Sequence, residues 1–228
     1  MDDALDKKIE SAWIGHCGFA HWLTKTMKPE TVVDLGTYHG ASALALAGAG
    51  YGTIYTIDKF DEEEDYKEAK DNISTLDNIE LIVSKFDDVV ESWDKKIDIL
   101  HIDGSHDYDS VKNDMEKWIP FVSDNGVILL HDTYNPSFGG AFFAYIEYPG
   151  EWARMMFLRS SGLGILTKNG EIANKIVNAY HPELVYASHL PYMIHFLDQL
   201  YTAFKKMAGE EVWRKLLGLS PQEQEAKD

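Results

Sequence analysis

The chain of 228 residues is short of three things. It has one cysteine, Cys17, which excludes an intrachain disulfide and fits a reducing compartment. It has no apolar run near the ~18 residues that cross a bilayer. It is poor in positive charge, with 21 Lys and Arg against 38 Asp and Glu and a formal net charge of −17. That deficit argues against a phosphate backbone as partner, because nucleic-acid affinity rests on Lys and Arg neutralising phosphates. The opening "MDDALDKKIE" also lacks the basic-then-apolar plan of a secretory signal. The expectation is a cytoplasmic protein with no membrane or nucleic-acid partner. The acidic run "DEEED" (61–65) reads as a solvated helix start, a surface still compatible with small cationic or metal-bound ligands.

What is present is enough apolar material, 45% of residues and six tryptophans, for one large domain with an appended element. Short apolar runs alternate with helical patterns. "TVVDLG", "GTIYTID", "IELIV", "IDILHID" and "GVILLHD" read as five strands, apolar almost throughout. Between them run a small-residue helix from Ala41 to Ala49, a charged helix through "EEEDYKEAKDNI", the short "DDVVESW", and a helix with apolar Val111, Met115, Trp118, Ile119 and Val122. Buried strands each followed by a helix predict an α/β fold, a doubly wound, mostly parallel sheet. "ARMMFLR" and "LGILTKN" are joined only by "SSG", too short for a crossover, so they predict an antiparallel pair at the edge of a seven-stranded sheet. The predicted divisions are an N-terminal helical cap (1–29), the sheet domain (30–168), C-terminal helices (169–219) and a disordered polar tail (220–228).

In such a sheet, ligands bind beyond the carboxyl ends of the strands. The first strand ends in "VDLGTYHGAS". Gly36 permits a tight turn and Gly40 lets the next helix start close to a ligand. Asp58 ends the second strand about 20 residues on, where an acid can hydrogen-bond a ribose. Tyr38 stands where a dinucleotide fingerprint needs glycine, so the turn suits an adenosine ligand without a pyrophosphate.

These residues carry a resemblance. "VVDLGTYHGASALALA" followed by "IYTID" resembles motifs I and II of class I S-adenosylmethionine-dependent methyltransferases. The form glycine–x–Tyr–x–glycine–x–Ser is similar to small-molecule O-methyltransferases of the catechol type. The resemblance covers roughly residues 30 to 168 and implies a Rossmann-like fold with S-adenosylmethionine as cofactor. It places Gly36, Thr37, Tyr38, Gly40 and Ser42 at the methionine end, with Asp34 before the turn in the same set. Asp58 would hold the ribose, beside Lys59 and Phe60. After the third strand, Lys85 stands at the usual acid position, leaving Phe86 or Asp87 to serve the adenine.

Asp103 and the pair His131–Asp132 end two strands that should be neighbours, and they should converge beside the cofactor's sulfonium. An unpaired buried carboxylate is costly, which argues against a purely structural role for either acid. "IDGSHDY…NGVILLHDT" resembles macrocin-type and related sugar or natural-product methyltransferases that take magnesium there. On that reading Asp103, His131 and Asp132 hold a divalent metal, magnesium, manganese or another, which lowers the pKa of an acceptor hydroxyl. A nitrogen ligand suits magnesium less than manganese, iron or zinc. On a second reading no metal is needed. His106 lies where catechol-type relatives carry a catalytic lysine, and it deprotonates the hydroxyl itself. The two readings can coexist, with Asp103 contributing to catalysis and cofactor binding alike. His101, inside the fourth strand, is expected to pack or to support other residues.

"TYNPSFGGAFFAYIEYPGEW" offers either an aromatic wall for the acceptor or a core helix. Trp13, His16, His21 and Trp22 lie on an amphipathic helix packed on the sheet, or on a lid. "LPYMIHFLDQLYTAF" is apolar on more than one face, which predicts a homo-oligomer such as a dimer. The leading expectation is methyl transfer to a hydroxyl of a small sugar, natural product or phenol. The alternatives are a metal-dependent oxygenase or hydrolase using His106, His131 and Asp103, and a nucleoside-binding protein without catalysis.

Overall fold

Runs of β-branched residues and leucine, bounded by glycine and acids, form the strands that place the site. The computed structural model describes residues 9–135, 139–181 and 183–186. Strands β1 (Thr31–Leu35), β2 (Thr53–Asp58), β3 (Ile79–Val83), β4 (Ile97–Ile102), β5 (Val122–His131), β6 (Ala153–Phe157) and β7 (Leu163–Thr167) form one sheet in the order β3-β2-β1-β4-β5-β7-β6. The first five are mutually parallel, and β7 lies antiparallel between β5 and β6. This is the seven-stranded, doubly wound sheet with an antiparallel edge pair that the sequence predicts.

Two details differ from expectation. The stretch from Glu171 is not helical throughout: α7 (Gly170–Tyr180) ends, and a short strand β8 (Leu184–Tyr186) adds to the edge beside β6. Val122 opens β5 instead of closing a helix. Helix α5 (Tyr108–Trp118) stops because Pro120 has no N–H to continue it, and a 3₁₀ turn over Ile119–Phe121 leads into the strand. The expected C-terminal helices beyond 186, their dimer surface and the tail at 220–228 lie outside the described residues.

Period-2 alternation along the strands feeds two cores, one on each face. Val32, Ile54, Ile99 and Leu129 point to one face, where α1 (Cys17–Met27), α2 (Ala41–Ala47) and α7 pack through Phe19, Leu23, Leu44 and Ile176. Val33, Ile57, Leu100 and Leu130 point to the other, against Met115 and Trp118 of α5 and Tyr145 of α6 (Gly139–Glu147). Two further helices, α3 (Glu63–Ile73) and α4 (Phe86–Val90), follow β2 and β3. The open choice for the aromatic segment resolves toward core. Tyr145 is fully buried, with its hydroxyl donating to the Met155 carbonyl at 2.9 Å, and Phe142 is buried as well; Phe138 lies outside the described residues. Among the described residues no helix is long and apolar enough to cross a membrane.

The pairing of β1 with β4 continues to the end of β1. The Asp103 N–H donates to the Leu35 carbonyl at 2.8 Å, and Gly36 turns away with φ of 102°. A Cβ on Gly36 would sit 2.0 Å from the Asp103 carbonyl oxygen. Gly36→Ala therefore combines left-handed strain with a backbone collision. It should lower unfolding stability by about 3 kcal/mol, read as the shift in the chemical denaturation midpoint.

Candidate active site

The site begins with a charge that the sheet buries. Asp34, in the interior strand β1, has no exposed surface. Its Oδ2 accepts from Thr56 Oγ1 at 2.7 Å and Ser42 Oγ at 3.1 Å, and its Oδ1 lies 2.6 Å from His101 Nδ1. Trp13 Nε1, which can only donate, reaches His101 Nε2 at 2.9 Å. That contact fixes the tautomer: His101 Nε2 accepts and His101 Nδ1–H donates to Asp34. Asp34 thus does not face the ligand crevice, contrary to its expected place among the cofactor residues. It ties β1, β2, β4 and α2 to the N-terminal segment, and His101 supports it from within β4 as anticipated.

Beyond the strand ends lies a cavity of about 790 Å³. Gly36, Thr37, Tyr38 and Ser42 line one side, Asp58 and Lys59 the next, and Lys85 and Phe86 the far end. Asp58 is held by two backbone donors, Tyr38 N to Oδ2 and Phe60 N to Oδ1, both at 3.0 Å. Tyr38 and Phe60 each adopt positive φ, 44° and 48°, to aim those groups. The expected side-chain roles at some positions change accordingly. Phe60 contributes its N–H, while its ring packs on Tyr66 away from the cavity. Tyr38 turns its ring outward to stack on His39. Lys59 pairs with Asp61 at 2.6 Å. Gly40 does not line the cavity; it starts α2 with φ of 87°, and its missing Cβ makes room for Ile73 of α3.

The strand-four and strand-five residues do converge. His131 Nδ1 lies 3.1 Å from Asp103 Oδ1 and 3.4 Å from Asp132 Oδ2, and His131 Nε2 lies 3.0 Å from the Ser160 carbonyl. Both ring nitrogens face acceptors, so the ring is an imidazolium. Burial by itself pushes its pKa down, but the two carboxylates outweigh burial and raise it to about 10. Asp132 adopts a left-handed backbone, φ 57°, and also receives Asn135 Nδ2 at 2.9 Å. Burial opposes its charge, yet His106, His131 and Asn135 hold its carboxyl well below the usual range.

His106 Nδ1 lies 2.9 Å from Asp132 Oδ2, and its imidazole pKa is raised chiefly by that hydrogen bond. Its loop is held by α6: a Cβ on Gly140 would meet the His106 carbonyl at 2.6 Å and the Tyr108 nitrogen at 2.4 Å, so only glycine allows this approach.

Three contributors join the expected residues, the first from the segment for which a lid is one of two expectations. Ser11, Ala12 and Trp13 wall the cavity, so the N-terminal segment is part of the site. The "SSG" hairpin tip reaches in as well, with Ser160, Ser161 and Gly162 all at positive φ; Ser160 O also accepts from His16 Nε2 at 3.1 Å. His16 stays neutral, its pKa pushed down to about 4 by burial and then by the charge on His131. The third is Asp114, on the cavity wall from α5. The signal available in sequence was the unusual "RSSG" tip; nothing local marked Asp114.

One ligand atom each from Asp103, His131 and Asp132 lie within 4.8 Å of one another. This donor set fits a divalent cation. His131 Nε2–H on the Ser160 carbonyl is the outer contact that a metal-bound imidazole uses, leaving Nδ1 for the ion. A cation must then displace the Nδ1 proton. His106 is not in this group, so the two-His, one-carboxylate set expected of the oxygenase alternative is not what these residues assemble.

Residues 33–133 match the family model described as a methyltransferase domain. The chain is 31% identical over 185 residues to the uncharacterized protein y4gI of Sinorhizobium fredii, a match covering 72% of this chain and 20% of that protein. The chain thus spans about a fifth of that relative's length. Among solved structures it is similar to an O-methyltransferase of Bacillus cereus in complex with S-adenosylhomocysteine (TM-score 0.55, 16% identity, 73% of this chain and 86% of that one). It is similar also to the S-adenosylhomocysteine-bound Podospora anserina methyltransferase PaMTH1 (0.55, 14%, 73% and 92%) and to an rRNA methylase of Streptococcus thermophilus (0.52, 17%, 66% and 94%). The chain has the class I, Rossmann-like methyltransferase fold.

The raised pKa of His131 makes a stability prediction. The folded state keeps a proton that the unfolded chain releases near pH 6.5, so this stabilisation is complete below 6.5 and is lost as pH rises toward about 10. His106 acts in the same direction and His16 in the opposite one, the latter only below pH 6.5. Without added metal, His131 alone should lower the unfolding free energy by up to ~1.4 kcal/mol per pH unit across that window, and His131→Gln should flatten the slope in denaturation series.

Proposed function

We propose that this protein transfers the methyl group of S-adenosylmethionine to a hydroxyl of a small molecule, with His106 as the general base. The observation that carries the reading is His106 on the cavity wall, its Nδ1 2.9 Å from the depressed carboxylate of Asp132, beside the glycine turn and Asp58.

The residues fit the cofactor. The cavity has the volume of a small-molecule site. Asp58, with each oxygen already oriented by one backbone N–H, keeps lone pairs for a ribose diol. The bare turn at Gly36 and Thr37 leaves space for the amino-acid end. When bound, S-adenosylmethionine supplies a methyl group on a positively charged sulfur, already electrophilic, so the protein's task is positioning and proton removal.

Asp132 holds the Nδ1–H of His106, which leaves Nε2 as the accepting atom. The acceptor hydroxyl gives its proton to Nε2 as its oxygen bonds to the methyl carbon, and the carbon–sulfur bond breaks toward sulfur. Methyl ether, thioether and imidazolium result, with charge conserved. Asp103, His131 and Asp132 would hold a divalent cation where one is used, and its chemistry there is to lower the pKa of the acceptor hydroxyl.

The fold itself does not choose the acceptor, since an rRNA methylase shares it. Charge favours a small molecule: a net −17 opposes a polyphosphate chain. Cys17, half-buried with its thiol pKa raised to about 11 by desolvation, suits a reducing cytoplasm.

His106→Ala should reduce methyl transfer by about 10²- to 10⁴-fold, while the dissociation constant for S-adenosylhomocysteine stays within about twofold. A panel of phenols and sugars provides the assay. Because the base must be neutral and Asp132 raises its pKa, the wild-type rate should climb with pH through a midpoint above 6.5. Undiminished turnover by the variant would remove His106 from the mechanism.

A further inference from the structure

The far end of the cavity contains a carboxyl that the proposed reaction leaves without a task. Asp114 lies on α5, is 6% exposed and lines the cavity together with Asn113, Ser110, Phe86 and Asp87. Asn113 reaches it as well as Asp87, and the remaining groups beside it are committed elsewhere. Lys117 Nζ reaches Asp87 Oδ2 at 2.9 Å, and Asn113 Nδ2 donates to Asp87 Oδ1 at 3.0 Å. Asp107 caps α5 through the Ser110 N–H at 3.0 Å. From α6, Glu147 is taken by the Tyr108 hydroxyl at 2.6 Å. Asp114 thus sits buried beside a second carboxylate, with the nearby cation drawn to that neighbour.

The place matters as much as the group. With the ribose at Asp58, on the end of β2, the base extends toward the end of β3, where Ser84, Lys85 and Phe86 line the cavity. Phe86 packs flat enough against Gly104 that a Cβ there would fall 2.5 Å from its ring, and this pair forms one wall. Lys85, at the start of α4, offers no acceptor. An adenine amino group needs an acceptor and a neighbouring ring nitrogen needs a donor.

We propose that Asp114, as a neutral carboxylic acid, reads the adenine edge of the cofactor, its carbonyl oxygen accepting from the 6-amino group and its O–H donating to the adjacent ring nitrogen. This rests on the reading of the cavity as an S-adenosylmethionine site. Burial first, and then the Asp87 charge, raise the Asp114 pKa to about 7, so the neutral form is available in the free protein. Lys117 and Asn113 act against that shift and Asp107 with it. Ionisation removes the O–H donor, so cofactor affinity falls as pH rises through about 7.

Calorimetric titration of the full chain with S-adenosylhomocysteine at pH 6 and pH 8.5 tests this. Wild-type affinity should drop about tenfold between the two. Asp114→Asn carries a donor and an acceptor at every pH and should bind at pH 8.5 about as tightly as wild type does at pH 6. Asp114→Leu should bind at least tenfold more weakly at pH 6. The 1-deaza or the 7-deaza adenine analogue should bind wild type more weakly at pH 6 and leave Asp114→Leu indifferent. Thermal melting of each variant confirms folding. Variants that match wild type in affinity, pH profile and analogue discrimination overturn the assignment. Wild type that binds no S-adenosylhomocysteine at either pH overturns the cofactor reading itself.

Discussion

A carboxylate sealed inside a parallel sheet dictates much of what surrounds it. Asp34 has no access to water, so both carboxylate oxygens must find donors within the protein. Thr56 from β2, Ser42 from α2 and His101 from β4 supply them, and His101 needs Trp13 to settle its tautomer. Removing any one leaves a buried charge short of a bond, which costs more than an ordinary hydrogen bond contributes. The glycine turn is therefore held from below by a polar core, with Thr37 joined through Thr56 at 2.7 Å. A turn that must admit a ligand next to bare backbone gains its rigidity there, beneath the cavity floor.

The same logic reappears at the strand ends with opposite emphasis. Asp103, His131 and Asp132 are close enough that the carboxylates would repel each other were the imidazolium not between them. Asp132 serves two histidines through one oxygen, Oδ2, and leaves the other to Asn135. His131 is consequently fixed as a cation in the absence of metal, whereas His106, half exposed at the cavity wall, has its pKa raised chiefly by the Asp132 hydrogen bond.

How much of this could be read from the chain depends on sequence distance. The strands, the edge hairpin, Asp58, and the convergence of Asp103 with His131 and Asp132 were legible because each follows from a local pattern: an apolar run that stops at an acid, beside another that does the same. Asp34 was misassigned because its place next to the glycine turn resembles a ligand contact, and only His101, 67 residues away, and Thr56, 22 away, reveal its work. The contact of Trp13 with His101 and those of the Ser160 carbonyl are hidden for the same reason. Their partners lie 88 residues from Trp13 and 144 and 29 residues from Ser160, and no periodicity encodes such meetings. Asp114 looks like one more polar residue of an amphipathic helix until α4 is placed against it. Val122 was drawn into the preceding helix because its spacing continued that helix's face; Pro120 was the overriding signal.

The Ser160 carbonyl joins these parts into a charge argument. It accepts from His16 and His131 at once, and the two rings cannot both be cations at such short range; His16 yields and stays neutral. The strand ends then hold two carboxylates and one fixed imidazolium, a net single negative charge when His106 is neutral. On the proposed reaction this faces a singly positive sulfonium, so the reactive complex is locally balanced. As the methyl leaves, the sulfur loses its charge and His106 gains one, and the balance is kept. On the proposed reaction the proton accepted at His106 is thus matched to the charge lost at sulfur, with Asp132 holding the other ring nitrogen.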